Sequence, residues 1–183
     1  MSQELGDKLS KKFEELTKIK CKVKFLSKGV NHRATTLKEN KKGVYVFFLN
    51  ENICFKVGKA NSNSQARWNS QHYSLDKSTP STFTKSILSN LMIMKKYFEE
   101  AEIKKFENIL KEYNLDESNF KQEIKKLDKT LVKELSNKLN LREWIQNNMN
   151  RIEFILDNNT DNNLDTNLLE ALVQFELNPI FEG

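Results

Sequence analysis

The sequence predicts an α+β domain in which a small three-stranded antiparallel sheet is flanked by helices and interrupted by a helical insertion. Residues 43–58 read as a β-hairpin. Val44, Val46 and Phe48 alternate with Tyr45, Phe47 and Leu49, then Asn50, Glu51 and Asn52 supply turn chemistry before Ile53 to Val57 resume the extended pattern. Arg151 to Leu156, RIEFIL, reads as the third strand, with Ile152, Phe154 and Leu156 on one face. Between these pieces, Ser81 to Leu141 holds no glycine or proline, and its apolar residues recur with helical periods.

In chain order, Leu5, Leu9, Phe13 and Leu16 stand at helical spacing among charged residues, so residues 3–18 are predicted as an amphipathic helix. Lys20 to Leu26, KCKVKFL, alternates lysine with apolar or small residues, the pattern of a half-buried strand with a basic outer face. Residues 29–42 show no period and read as a loop with His32 and Arg33 at its surface. Residues 1–42 thus form an extension ahead of a main domain at 43–183.

After Gly58 a polar stretch leads to a helix expected from near Ser64 through Arg67 and Trp68. The insertion, 84–141, reads as a helical hairpin. Phe98, Ala101, Phe106, Ile109, Leu110 and Tyr113 mark one stripe, and Phe120, Ile124, Leu127, Leu131, Leu135 and Leu139 mark the other, with a turn at 114–118. These stripes read as core packing; a homodimer seam or a DNA clamp is the sharper alternative. Asp157 to Asn167 is an asparagine- and aspartate-rich loop that lacks the central glycine and terminal glutamate of a calcium loop. Leu168, Leu169, Leu172, Val173 and Phe175 form a last helix, ending before Asn178-Pro179.

With 183 residues the chain suits one elaborated domain. The formal charge is +5, but residues 1–42 carry twelve basic and five acidic residues, whereas from Asp157 onward there are six acidic residues and no basic one. A basic arm of this kind suits nucleic acid, or else a solvated helix face. Cys21 and Cys54 are too few and too far apart for a disulfide framework or a zinc site. No apolar run approaches membrane-spanning length and the first residues lack a signal-peptide core, so a cytoplasmic protein without a membrane partner is expected.

The chemistry-bearing residues gather around the hairpin. Its length brings Tyr45 and Lys56 opposite or diagonal to one another, and an ammonium beside a phenol favours the phenolate, lowering its pKa from about 10. Arg67 in the first turns of a helix, with the helix amides, makes an anion site.

GVY at 43–45, ten residues, KVG at 56–58, Arg67 and His72, followed at the far end by LLEALVQFELNPIFEG, resemble the GIY-YIG nuclease family. The resemblance implies that Arg67 holds the scissile phosphate, that Tyr45 assisted by Lys56 is the general base, and that Glu170 on the last helix is the metal ligand. A single carboxylate completed by waters implies Mg²⁺ or Mn²⁺. His72 stands five positions after the arginine, where the family's histidine usually stands four after, and would orient water or bond the tyrosine. Ser81, Thr82, Phe83, Lys85 and Ser86 resemble a Ser/Thr-rich helix start found in bacterial branches of the family. Lys56 replaces the second tyrosine of the motif, and Glu182 stands where an asparagine is usual. The expectation is a metal-dependent endonuclease acting on duplex DNA. A catalytically silent nucleic-acid-binding module and a helical dimerisation protein are the alternatives.

Overall fold

The computed structural model describes residues 2–38, 41–50, 52–61, 64–76, 82–156 and 163–181. Glu51 of the expected hairpin turn, Ser81, the loop residues 157–162 and Glu182 lie outside the described residues. The chain divides into two compact units, one made of Met1–Asn69 with Ile145–Gly183, the other of Ser70–Trp144.

The first unit is built on an antiparallel sheet. Among the described residues it has four strands, β1 (Cys21–Leu26), β2 (Lys42–Asn50), β3 (Ile53–Ala60) and β4 (Asn150–Leu156), in the order β1-β4-β2-β3. The expected hairpin is β2–β3 and the expected third strand is β4, but the sheet has one strand more than expected. The lysine-alternating stretch pairs with β4, Cys21 opposite Leu156 and Leu26 opposite Arg151. Pairing satisfies the amides that β4 would otherwise present along an open edge. The amino-terminal stretch is thus part of the sheet.

One face of the sheet is apolar. Val44, Val46 and Phe48 of β2, Val57 of β3 and Ile152, Phe154 and Leu156 of β4 meet Leu9 and Phe13 of α1 (Ser2–Thr17) and Leu169 and Val173 of α9 (Leu164–Leu177). Leu16, expected on the buried stripe of α1, is 67% exposed. The helix stops one residue later, where Lys18 adopts φ 63°. The last helix begins at Leu164, inside the expected loop, because Thr166 shares a buried stripe with Leu169 and Val173. It ends where expected: Asn178 takes a left-handed conformation and donates its amide to Gln174 O at 2.8 Å. The chain then runs along β3, with amides of Ile180 and Phe181 donating to Cys54 O and Phe55 O at 3.0 and 2.8 Å.

The other face of the sheet carries Tyr45 and Phe47 of β2 beside Glu153 and Arg151 of β4, their direct cross-strand partners. α2 (Gln65–Asn69) lays Trp68 on this face, directly over Gly43. A methyl group at Gly43 would come within 2.5 Å of Phe154 O and 2.7 Å of the Trp68 ring.

The second unit is helical and wider than the expected insertion, beginning at Ser70. A 3₁₀ turn (Gln71–Tyr73) is followed by α3 (Phe83–Leu88), α4 (Leu91–Met94), α5 (Glu100–Glu112), α6 (Phe120–Glu123) and α7 (Lys129–Leu139); α8 (Leu141–Asn148) spans the division between units. The two-helix hairpin expected at 84–141 is therefore a chain of shorter helices. α5 carries the first stripe, with Ile103, Phe106, Ile109 and Leu110 buried. The heptad from Phe120 to Leu139 is broken by Asp128, whose carboxylate accepts the Leu131 amide at 2.9 Å and starts a new helix there. That restart rotates the stripe: Val132, Leu135 and Leu139 are buried, while Leu131 is 36% exposed. Phe98, Phe106 and Trp144 pack edge to face, with centroids 4.8 and 5.5 Å from the indole.

Leu135→Ala is expected to cost about 2–5 kcal/mol and Leu131→Ala under about 1 kcal/mol, since only the first empties a filled site. Gly43→Ala is expected to cost about 1–3 kcal/mol by overpacking against backbone and indole. Urea denaturation followed by circular dichroism measures all three, and equal losses for the two leucines would contradict the rotated stripe.

Candidate functional site

In the first unit, three elements bring Tyr45, Arg67 and Glu170 together. Tyr45 sits in the middle of β2, opposite Gly58 on β3, and its ring lies over that glycine: a Cβ there would meet the phenol oxygen at 2.5 Å. Only hydrogen at position 58 lets the side chain cross the outer strand at this height. Arg67, exposed on α2, reaches the phenol from outside, Nε donating to Tyr45 Oη at 3.5 Å, the outer limit of a hydrogen bond. At five residues α2 is too short to add a helix-end anion site of the kind expected, so what this helix contributes is the Arg67 guanidinium. Glu170, on α9, is close enough for its charge to act on the phenol.

Burial raises the phenol above its ordinary value near 10. Arg67 opposes this through its charge and hydrogen bond, Arg151 opposes it through charge, and Glu170 adds to it. The expectation that a neighbouring cation lowers this tyrosine is thereby corrected: the ring is fully covered, and the cost of burying a phenolate exceeds what the cations return. Lys56 is buried on the same sheet face, opposite Phe47 and two cross-strand pairs along from Tyr45, so the diagonal arrangement expected from the hairpin is present.

Glu170 is engaged. Lys59, the residue after Gly58, places Nζ 2.7 Å from Glu170 Oε2 in a partly covered ion pair. Among the described residues no group of three His, Cys, Asp or Glu gathers. A hard divalent ion at Glu170 would replace Lys59 as counter-charge and draw its remaining ligands from waters and a bound phosphate, the arrangement Mg²⁺ favours, so the donor set fits such an ion.

His72 lies in the second unit, buried in the 3₁₀ turn, where Nδ1 accepts the Phe83 amide at 3.1 Å. Thr82, within the expected Ser/Thr-rich start, caps α3 by accepting the Lys85 amide at 3.3 Å.

Residues that sequence reasoning passed over complete the site. Arg151 and Glu153 are fully buried and ion-paired at 3.0 Å. Glu153 also accepts from the Thr35 amide at 3.2 Å and hydroxyl at 2.5 Å. The signal was the alternation within RIEFIL, where two charges share the face opposite Ile152, Phe154 and Leu156. His32, expected at a loop surface, is completely buried: Nδ1 bonds Met149 O at 2.6 Å and the ring stacks 6.1 Å from Phe47. The loop folds back onto the sheet because Glu153 and Met149 offer acceptors to Thr35 and His32.

Comparison with protein-family models, curated proteins and solved structures gives no match.

Burial lowers His32 from 6.5 to about 4. The unfolded chain therefore takes up this proton first as pH falls, so the stabilisation is complete above about pH 6.5 and drains away down to about pH 4, a loss of about 3 kcal/mol. His32→Asn is expected to flatten that part of the stability profile. Parallel slopes for parent and variant in urea titrations at pH 4 to 7 would rule this out.

Proposed function

We propose that the chain is a metal-dependent endonuclease that hydrolyses phosphodiester bonds in duplex DNA, with the GIY-YIG type of site. The observation that carries this reading is the convergence of Tyr45, Arg67 and Glu170, far apart in sequence, on the Gly58 notch of the sheet. An exposed guanidinium, a phenol and a carboxylate suit in-line attack on a phosphodiester. Arg67 binds the non-bridging oxygens and stabilises the charge that grows on them. Tyr45 accepts the proton of the attacking water. Glu170 would hold a Mg²⁺ or Mn²⁺ ion, which when bound supplies Lewis-acid polarisation of the phosphate and the leaving oxygen. Lys59 leaves Glu170 to face the same phosphate, and Lys56 holds positive charge on the sheet face beside the phenol. The basic stretch before β2, with Lys22 and Lys24 exposed on β1, supplies further phosphate contacts.

A nucleic-acid-binding module without cleavage is the second reading. The Lys59–Glu170 ion pair favours it, because the carboxylate has a counter-charge without a metal.

Plasmid and short duplexes incubated with the purified chain are expected to be cleaved only with Mg²⁺ or Mn²⁺. Glu170→Gln and Tyr45→Phe should each lower kcat by about 10²–10⁴ while duplex binding persists, and Arg67→Ala should weaken both binding and rate. Because the phenol is raised, the rate should climb with pH through the neutral range and beyond pH 9, and Tyr45→Phe should remove the climb. Binding without cleavage under all these conditions selects the second reading; neither binding nor cleavage rejects both.

A further inference from the structure

We propose that Arg151 is the positioning residue of this site, fixing the Tyr45 phenol and the Arg67-bearing helix in one frame. The inference rests on reading Tyr45 and Arg67 as the reacting pair. Arg151 has no exposed surface, and its guanidinium lies 5.1 Å from the Tyr45 ring centre, 5.3 Å from Phe47 and 5.2 Å from Trp68. It also donates to Trp68 O at 2.8 Å and pairs with Glu153 at 3.0 Å.

These contacts divide by element. Trp68 follows Arg67 in α2, so the bond to its carbonyl grips the helix backbone one residue from the guanidinium that faces the phenol. Tyr45 and Phe47 belong to β2, and Glu153, directly opposite Tyr45, is in turn held by Thr35 of the loop before β2. The Tyr45 ring is wedged edge-on against Trp68 at 5.9 Å and against Phe47 at 6.0 Å. One planar cation thereby sets the ring's tilt and the position of α2 together. A lysine ammonium is a single compact point of charge and could not lie against three rings while also reaching the Trp68 carbonyl and the Glu153 carboxylate.

A packing role alone would be met as well by an apolar side chain, since buried ion pairs are often replaceable by hydrophobic groups without loss of stability. What an apolar replacement would not reproduce is the aim of the phenol and its electrostatic surroundings. The charges around the phenol are Arg67 from α2, Arg151 and Glu153 from β4, Lys56 from β3, and Glu170 from α9 with Lys59 against it. Of these, Arg151 is a cation that favours the phenolate from the buried side.

The test uses the full chain and two variants, R151M/E153Q, which removes both charges while leaving Thr35 an acceptor, and R151K. kcat and KM are measured on a short duplex with Mg²⁺, and the Tyr45 ring resonance is followed by NMR on ¹³C-tyrosine-labelled protein, assigned with Tyr45→Phe and titrated with pH. R151M/E153Q is expected to fold, to lose about 30- to 100-fold in kcat with KM within about threefold, and to show a displaced Tyr45 resonance with a higher titration midpoint. R151K is expected to keep the midpoint near that of the parent but to lose rate, because charge is retained and the fork is not. If R151M/E153Q fails to fold, R151K decides alone. An unchanged Tyr45 resonance, or a loss confined to KM, in a folded variant overturns the proposal. If the parent chain cleaves nothing, the nuclease reading falls, and the Tyr45 resonance still decides whether Arg151 positions the ring.

Discussion

Two missing side chains make the architecture of the first unit possible. At Gly43 the indole of Trp68, and at Gly58 the phenol of Tyr45, occupy the space a Cβ would take, each approaching to within 2.5–2.8 Å of that point. Aromatic rings can lie this close to a sheet only where the strand surface is bare backbone. The consequence is spatial economy: a layer of edge-to-face rings is laid close on β2 and β3, and the phenol oxygen is carried across the outer strand toward the elements that bear Arg67 and Glu170.

That ring layer encloses charge. Arg151 and Glu153 are fully covered, and removing one partner of such a pair commonly costs about 3–5 kcal/mol because the other is left uncompensated. Here compensation is distributed. The guanidinium has the Trp68 carbonyl and three ring faces besides the carboxylate, and the carboxylate has the Thr35 amide and hydroxyl. The residues from 32 to 35 follow from the same accounting, since the buried acceptors of β4 and of the residue before it draw His32 and Thr35 inward. A segment without hydrophobic periodicity is therefore ordered by hydrogen bonds rather than by apolar burial.

Much of the architecture was legible beforehand because period and turn chemistry are local. The hairpin, β4, the amphipathic α1 and the stop at Asn178-Pro179 each rest on residues within one element. Errors arose where a local pattern competed with a distant partner. KCKVKFL was readable as a strand but not as a neighbour of β4, since pairing partners are set by register across more than a hundred residues. The heptad from Phe120 to Leu139 looked continuous, yet one cap at Asp128 outweighed it and turned Leu131 outward. For the candidate site, Tyr45, Lys56 and Arg67 were singled out by short spacings around one hairpin and Glu170 by a second segment at the far end of the chain, whereas His72 departed from the expected spacing by one position and lies in the second unit.

The sequence by itself determined the α+β class and the strand pair that carries Tyr45, because these depend on alternation, turn residues and short spacings. Only the tertiary structure decided that Lys59 neutralises Glu170, that Arg151 sits among three rings, and that the Tyr45 phenol is pushed up rather than down. Those outcomes depend on which groups lose water and which charges face them after folding, and burial is a property of the whole packed arrangement rather than of any stretch of chain.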